Sequence, residues 1–298
     1  MRRLLLLGAM LCPLWAHGLT FQEPIEDVKW AVEGDRFECR LIQPVSRFGR
    51  GEFVRRAGEK PVFRVVAGEP WLARGEASLY AAATGWQARE SDLLLGRIPV
   101  TANERSAQSS QDQAARLLTA MLEGRAPVIR HRTAQGDRLE VRLQPVNVKD
   151  AYQQYLDCVS GLLPVNFDQA KFTLVRFEGG SYELSERAKA HLDILLDYIS
   201  EDKSVNRIRL DGYSDSSGDR LLNRDISRRR ALMVKNYLVA HGFDEDGIII
   251  RFHGERYPAK PNNSAANRAA NRRVTIELER VDETYALTRE QEEERLDL

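Results

Sequence analysis

The stretch "GYSDSSGDRLLNRDISRRRALMV", residues 212–234, places a single acid, Asp215, in a Ser- and Gly-rich turn before an arginine-rich segment. Residues 205–213 carry a strand pattern, and the segment after the turn predicts a helix over residues 225–241. Ligands favour the carboxyl edge of the strands in α/β sheets. The turn is therefore a candidate site at a sheet edge.

Asp215 and Arg230 are the charged pair that this arrangement brings together. Arg230 lies in the first two turns of the predicted helix, and helical side chains lean towards the N-terminus, so we expect it to reach back to Asp215. A carboxylate beside a guanidinium suits a ligand with an ammonium and a carboxylate on one carbon, an amino-acid zwitterion. A structural Asp–Arg ion pair fits the same spacing equally well. The two residues alone leave both interpretations open.

The second half of the chain alternates strands with helices. It predicts an α/β sandwich of order β-α-β-α-β-β over residues 167–280, with the helices on one side of a sheet. Ser185 is the expected N-cap of its first helix. The strands are predicted over residues 172–177, 205–213, 247–255 and 272–280.

The first half, residues 19–150, has the pattern of a β-rich domain with one helix, so the predicted fold class is α+β. The helix begins at Ser110, which has capping-box spacing to Gln113. A second helix, starting near Asp150, is expected to connect the two domains over residues 151–166. The strands are predicted over residues 37–45, 61–66, 77–82 and 137–146.

Composition limits the classes of function. The 298 residues include 44 Lys plus Arg and 44 Asp plus Glu, so bulk attraction to nucleic acid is not indicated.

Residues 1–18 have the pattern of a secretory signal peptide, with cleavage expected after Gly18. A lipoprotein signal ending at Cys12 is the less favoured alternative, because Leu11 is large. No later stretch has eighteen consecutive apolar residues, and residues 281–298 form an acidic tail.

Two cysteines, Cys39 and Cys158, remain after the leader. An even pair in an exported chain indicates a disulfide, with two buried thiols as the alternative. Neither cysteine has the CxxC or nearby His that a zinc site needs, and no HExxH pattern occurs. We therefore predict no metal, no cofactor and no catalytic residue; a wall-processing hydrolase is the disfavoured alternative.

The motifs of the second half resemble those of the OmpA-like peptidoglycan-binding family. The matching residues, in order, are Ser214-Asp215-Ser216-Ser217-Gly218, Asn223 to Ala231, and Asn271-Arg272-Arg273-Val274-Thr275-Ile276. The resemblance implies that Asp215 and Arg230 bind the diaminopimelate of the stem peptide of the peptidoglycan cell wall. Ser214 keeps the hydroxyl of the family's Thr position.

Four further residues are assigned to this site by position. Asn223 and Ser227 are expected to cap the helix and fix the loop. Asn271 and Arg273 are expected to border the site from the last strand.

The first half resembles the MotY family of flagellar T-ring proteins in the stretch "FECRLIQPVSRFGRGEFVRRAG", residues 37–58. That family carries two cysteines placed as Cys39 and Cys158 are. The resemblance implies a periplasmic, non-catalytic protein that docks to the flagellar basal body and to a MotX-like partner. It also implies that the protein anchors the T ring to peptidoglycan and supports the assembly of stator units. A wall-tethering envelope protein without a flagellar role is the alternative.

Overall fold

The computed structural model describes residues 18–87, 89–101 and 103–281. Apart from Gly18 and Val281, the predicted leader and the predicted acidic tail lie outside the described residues. The chain divides into two compact units. The first contains the residues up to Arg56 together with Lys60–Leu162, and the second contains Ala57–Glu59 and the residues from Leu163 onward.

The first unit is built from two five-stranded sheets, with the strand orders β1-β10-β9-β6-β7 and β2-β3-β4-β5-β8. Its core is formed by the apolar residues of these strands and of two helices. The strands in its described part are β1 (Leu19–Phe21), β2 (Ala31–Gly34), β3 (Glu38–Val45), β4 (Gly49–Arg56), β5 (Val62–Ala67), β6 (Glu76–Ala82), β7 (Leu93–Pro99), β8 (Ser106–Gln108), β9 (Ala126–Arg132) and β10 (Arg138–Arg142).

The predicted strands correspond to β3, β5, β6 and β10, whereas the other six described strands of this unit were not predicted. Strand β5 could be recognised from the sequence because its residues alternate between buried and half-buried. β4 lacks this alternation, since four consecutive residues from Gly51 to Val54 are buried. A Cβ atom at Gly51 would lie 2.5 Å from the Leu143 side chain, so this strand needs glycine for close packing.

Helix α1 (Gln111–Leu122) begins as predicted. The Ser110 side chain accepts a hydrogen bond from the Gln113 N–H, and the Gln113 side chain accepts one from the Ser110 N–H, which completes the capping box. The apolar face of this helix packs into the core, with Leu122 partly buried and the others buried: Ala114, Leu117, Leu118 and Met121.

Helix α2 (Val148–Ser160) is the predicted connector, and it lies in the first unit. Cys158 on this helix forms the predicted disulfide with Cys39 on β3, across 119 residues of sequence. Closing a loop of that length stabilises the fold by about 4–5 kcal/mol on the chain-entropy model. On this helix Tyr155 is buried, whereas Leu156 is 38% exposed.

The second unit contains a four-stranded sheet of order β11-β14-β12-β13. β12 and β13 are parallel, and β14 is antiparallel to both β11 and β12. The predicted order is confirmed, with two short helices added, one before the first strand and one before the last. The elements are α3 (Phe167–Ala170), β11 (Phe172–Arg176), α4 (Glu186–Glu201), β12 (Arg207–Gly212), α5 (Arg220–Ala240), β13 (Ile248–Phe252), α6 (Ala265–Asn271) and β14 (Arg273–Glu279).

Helix α5 begins five residues earlier than predicted. Its N-cap is Asp219, whose side chain accepts a hydrogen bond from the Leu221 N–H. Asn223 and Ser227 therefore lie inside the helix, and the expectation that they cap it is wrong. Arg230 is consequently in the third turn of the helix rather than the first two.

Gly212, the last residue of β12, lies against the backbone of α5. A Cβ atom at this position would overlap the carbonyl oxygen of Ser227 and lie 3.0 Å from its carbonyl carbon. The close approach sets the distance between the helix and the loop that follows β12.

We predict that Gly212→Ala destabilises the second unit by roughly 1–3 kcal/mol, because the added methyl group must push α5 away from the sheet. Thermal and urea unfolding followed by circular dichroism measures the effect. Gly179→Ala is the matched control, since nothing lies within 4 Å of a Cβ atom there. Equal stability of the two variants would contradict the close packing.

Candidate functional site

The candidate site lies where β12 and β13 end. Because these strands are parallel, with Gly212 opposite Phe252, the loops that follow them leave the sheet at the same edge. The N-terminal turn of α5 follows the first of these loops. The predicted site residues on these elements are therefore close in space.

All seven residues predicted for the site are buried. They are also the complete set of buried polar residues in the described part of the second unit, namely Ser214, Asp215, Asn223, Ser227, Arg230, Asn271 and Arg273. Burial of polar groups is unfavourable unless each has a partner. Their hydrogen bonds distinguish the residues that support the loops from those that could meet a ligand.

Arg230 is the most deeply buried charged group of the site, with 1% of the residue exposed. Its guanidinium donates hydrogen bonds to the backbone carbonyls of Ser181 at 2.9 Å, Tyr213 at 3.2 Å and Glu178 at 3.1 Å. It also lies 5.3 Å from the ring centroid of Phe177. Arg230 thus joins the loop after β11 and the end of β12 to α5.

Burial lowers the pKa of Arg230 to about 10, with the nearby Asp215 acting against that shift and Arg272 reinforcing it. The guanidinium therefore remains charged at neutral pH. Its positive charge lies close enough to influence Asp215, although no direct hydrogen bond joins the two side chains in the described part of the chain.

Asp215 is paired with Arg272 instead. Its Oδ2 accepts a hydrogen bond from Arg272 Nη1 at 2.9 Å, and its Oδ1 accepts one from the Ser217 N–H at 3.0 Å. Arg272 Nε also donates to the carbonyl of Phe177 at 3.1 Å. The expectation of a direct Asp215–Arg230 pair is thus corrected, because Arg230 is directed at backbone carbonyls.

Arg272 was not predicted as a site residue. The motif Asn271-Arg272-Arg273 contains this arginine. Adjacent residues of a strand point to opposite faces, and the sequence does not show which of the two arginines faces the Asp215 loop. Arg272 directly precedes β14, and its partly exposed side chain points to Asp215. Arg273 is buried on the other side.

The Asp215 carboxylate is ionised over the whole physiological range. Burial raises its pKa, but the hydrogen bonds from Arg272 and from the Ser217 N–H outweigh burial and hold the pKa below its ordinary value of 3.8. The site therefore presents a fixed negative charge beside two positive ones.

Ser214 directly precedes Asp215, and its side-chain hydroxyl is unpaired in the described part of the chain. Its N–H donates to the Gly254 carbonyl at 2.8 Å, which joins the two loops. Its Oγ is buried and has no hydrogen-bond partner within the described residues. A buried hydroxyl without a partner is costly, so this group gains from a polar atom brought by a ligand.

Asn223 and Ser227 connect α5 to the loop after β13. Asn223 Nδ2 donates to Glu255 Oε2 at 2.7 Å. Ser227 Oγ accepts from the Gly254 N–H at 3.0 Å and donates to the Arg224 carbonyl at 2.8 Å. Both residues hold the loop after β13, from inside the helix rather than from its cap.

Asn271 and Arg273 hold the same loop from the other side. Asn271 Oδ1 accepts from the Lys260 N–H at 3.0 Å, and its Nδ2 donates to the Lys260 carbonyl at 2.7 Å. Arg273 lies 3.8 Å from the ring centroid of Tyr213 and donates to the Tyr257 carbonyl at 3.1 Å. These contacts are with the protein itself and position the loops.

The described residues offer neither a metal site nor a membrane-spanning helix. No group of three or more His, Cys, Asp or Glu side chains there could hold a metal ion. No helix in this part of the chain is long and apolar enough to cross a membrane.

Family comparisons match both halves of the chain. Residues 21–164 match the MotY N-terminal domain, and residues 176–272 match the OmpA family. The sodium-type flagellar protein MotY of Vibrio parahaemolyticus is 26% identical over 247 residues, covering 82% of this chain and 84% of that protein.

Two further proteins match part of the chain. The peptidoglycan-associated lipoprotein of Pseudomonas putida is 29% identical, over 44% of this chain and 78% of its own length. The crystal structure of the peptidoglycan-associated lipoprotein from Burkholderia pseudomallei aligns with a TM-score of 0.34 and 23% identity, over 36% of this chain and 89% of that chain. The chain thus combines a segment that matches the MotY N-terminal domain, residues 21–164, with a segment that matches the OmpA family, residues 176–272.

Proposed function

We propose that this protein is a non-catalytic, periplasmic component of the flagellar T ring that binds peptidoglycan through its second unit. The observation that carries the proposal is the Asp215–Arg272 ion pair, with the charged Arg230 beneath it, in an OmpA-family domain. The MotY N-terminal domain in the same chain supports the assignment to the flagellar motor.

The ligand chemistry follows from the three charges. A diaminopimelate residue of the stem peptide carries an ammonium and a carboxylate on one carbon. Its ammonium binds the Asp215 carboxylate, and its carboxylate binds the guanidinium of Arg272, so one ion pair within the protein is exchanged for two with the ligand. Ser214 Oγ is placed to add a hydrogen bond.

Arg230 contributes in two ways to this binding. It orders the loops by holding three backbone carbonyls, and its positive charge strengthens the attraction of the site for a carboxylate. Asn223, Ser227, Asn271 and Arg273 support those loops and keep the site in shape before a ligand arrives.

The first unit provides the connection to the motor. It docks to the flagellar basal body and to a MotX-like partner, while the second unit ties the ring to the cell wall. The anchored ring then supports the assembly of stator units. Export by a cleaved leader brings the chain to the periplasm, and no catalytic step is part of this function.

A second candidate is a wall-tethering envelope protein without a flagellar role. It shares the binding site of the second unit and differs only in what the first unit contacts. The relatives that match the second half alone, such as the peptidoglycan-associated lipoprotein, favour this candidate. The match of residues 21–164 to the MotY N-terminal domain favours the motor.

Sedimentation with purified sacculi tests wall binding. Asp215→Asn keeps the size of the side chain and removes its charge, so we expect the affinity for sacculi to fall by about tenfold or more. Asp225→Asn is the matched control, because that exposed carboxylate on α5 is paired with Arg229 outside the site. Undiminished sedimentation of a folded Asp215→Asn protein would contradict the proposed site.

The pH dependence of sedimentation tests the charge on Asp215. Because its folded pKa lies below 3.8, the carboxylate stays ionised as the pH falls from 8 to 5, and we expect binding to persist. Binding is then lost as the pH falls through the folded pKa. Circular dichroism at each pH checks that the protein remains folded. A loss of binding between pH 7 and 5 would point to a different titrating group.

Swimming of a deletion strain separates the two candidate functions. We expect the strain to lose motility, with recovery by the wild-type gene and little recovery by the gene carrying Asp215→Asn. The Asp225→Asn gene serves as the control and should restore swimming. Full motility of the deletion strain would reject the motor assignment and leave the wall-tethering candidate.

A further inference from the structure

A cavity of about 390 Å³ lies between the first turns of α5 and the loop after β13. Its volume is typical of sites that bind small molecules. Three arginines line this arginine-lined cavity, namely Arg220, Arg224 and Arg256. Asp215 and Arg272, which bind the wall ligand in the proposed function, do not line it. The cavity is therefore a separate feature of the second unit.

The arginine-lined cavity has an excess of positive charge. Among the described residues, its three guanidinium groups have neither an ion pair nor a hydrogen bond. Glu255 supplies the one carboxylate of the lining, and it accepts a hydrogen bond from Asn223, while the Asp219 carboxylate outside the cavity caps α5. The ring of His253, also in the lining, is hydrogen-bonded to Asp211 at 2.7 Å. Three positive charges and one negative charge leave an excess of two positive charges.

The walls of the cavity are ordered by contacts within the second unit. The guanidinium of Arg224 lies 5.2 Å from the ring centroid of Phe252, at the end of β13. Tyr257, on the loop, has a φ of 58°, a backbone conformation that residues other than glycine rarely adopt. The hydrogen bond from Arg273 to the Tyr257 carbonyl, at 3.1 Å, stabilises that conformation. The cavity is thus formed before any ligand arrives.

The charge of the cavity decides which anion fits it. A carboxylate carries one negative charge, whereas a phosphate monoester carries about 1.5 to 2 at neutral pH. Guanidinium groups also match phosphate oxygens in geometry, because their N–H groups donate parallel pairs of hydrogen bonds. A phosphate monoester therefore balances the two excess charges, while a single carboxylate leaves one of them unmatched.

Exposed apolar side chains lie beside the arginines. Leu221 and Tyr257, which line the cavity, are 77% and 68% exposed, and the neighbouring Leu222 is 68% exposed. Apolar side chains grouped on a surface often mark a place of contact with another molecule. Basic and apolar side chains together are typical of surfaces that meet anionic lipids. A lipid headgroup and a water-soluble phosphate are therefore the two sources of this ligand that need to be distinguished.

We propose that the arginine-lined cavity binds a phosphate monoester group. Arg224 from the helix and Arg256 from the loop bind the phosphate oxygens, and Arg220 adds the third positive charge. When the phosphate belongs to a lipid, the exposed apolar side chains contact the remainder of that lipid. The site is independent of the proposed wall binding, so either one can fail without the other.

An NMR titration of the full chain with inorganic phosphate tests the site and its location. We expect the amide signals of residues 220–224 and 252–257 to shift in a saturable way, and phosphate to bind about tenfold more tightly than acetate. The double variant Arg224→Gln/Arg256→Gln should bind phosphate about tenfold or more weakly than the wild type. Arg228→Gln is the matched control, because it removes an exposed arginine of α5 outside the cavity, and it should bind as the wild type does.

Sedimentation with vesicles distinguishes the two sources. Phosphatidic acid in phosphatidylcholine vesicles presents a phosphate monoester, whereas phosphatidylcholine alone does not. If the source is a lipid, the wild type binds only the vesicles with phosphatidic acid, and the double variant binds neither kind. Binding of inorganic phosphate without binding of these vesicles supports the cavity and assigns it a water-soluble phosphate.

Three results would overturn the proposal. The first is phosphate binding by the double variant that equals that of the wild type, with circular dichroism showing both proteins folded. The second is an equal affinity for acetate and phosphate, and the third is binding of neither inorganic phosphate nor the vesicles with phosphatidic acid.

Discussion

The buried guanidinium of Arg230 orders the end of the molecule where the candidate site lies. It donates to three backbone carbonyls, those of Ser181, Tyr213 and Glu178, which belong to two different loops. Removing it would leave three backbone carbonyls without this donor and a space the size of its side chain. Because Tyr213 is two residues from Asp215, the position of the Asp215 carboxylate depends on this one side chain.

The two arginines near Asp215 therefore have different physical roles. Arg230 is fixed by the backbone and supplies a permanent positive charge beneath the site. Arg272 is partly exposed, and its bond to Asp215 can be exchanged for a bond to a ligand carboxylate. A site built in this way is charged and ordered without a ligand, so little conformational entropy is lost on binding.

Much of the fold could be predicted where local chemistry decides the structure. Ser110 and Ser185 were identified as caps because a hydroxyl before an apolar stripe satisfies a helix terminus by itself. The start of α5 was misplaced because Asp219 caps it from within a polar run that has no apolar periodicity. Arg272 was missed as the partner of Asp215 because that contact joins residues 57 positions apart, and only the tertiary structure brings them together.

The most direct measurement is a crystal structure of the second unit's site within the full chain, bound to a stem peptide that ends in diaminopimelate. We expect the ligand ammonium at the Asp215 carboxylate, the ligand carboxylate on the guanidinium of Arg272, and the three carbonyl bonds of Arg230 unchanged. A peptide bound elsewhere, with the bond between Asp215 and Arg272 still intact, would contradict the central claim.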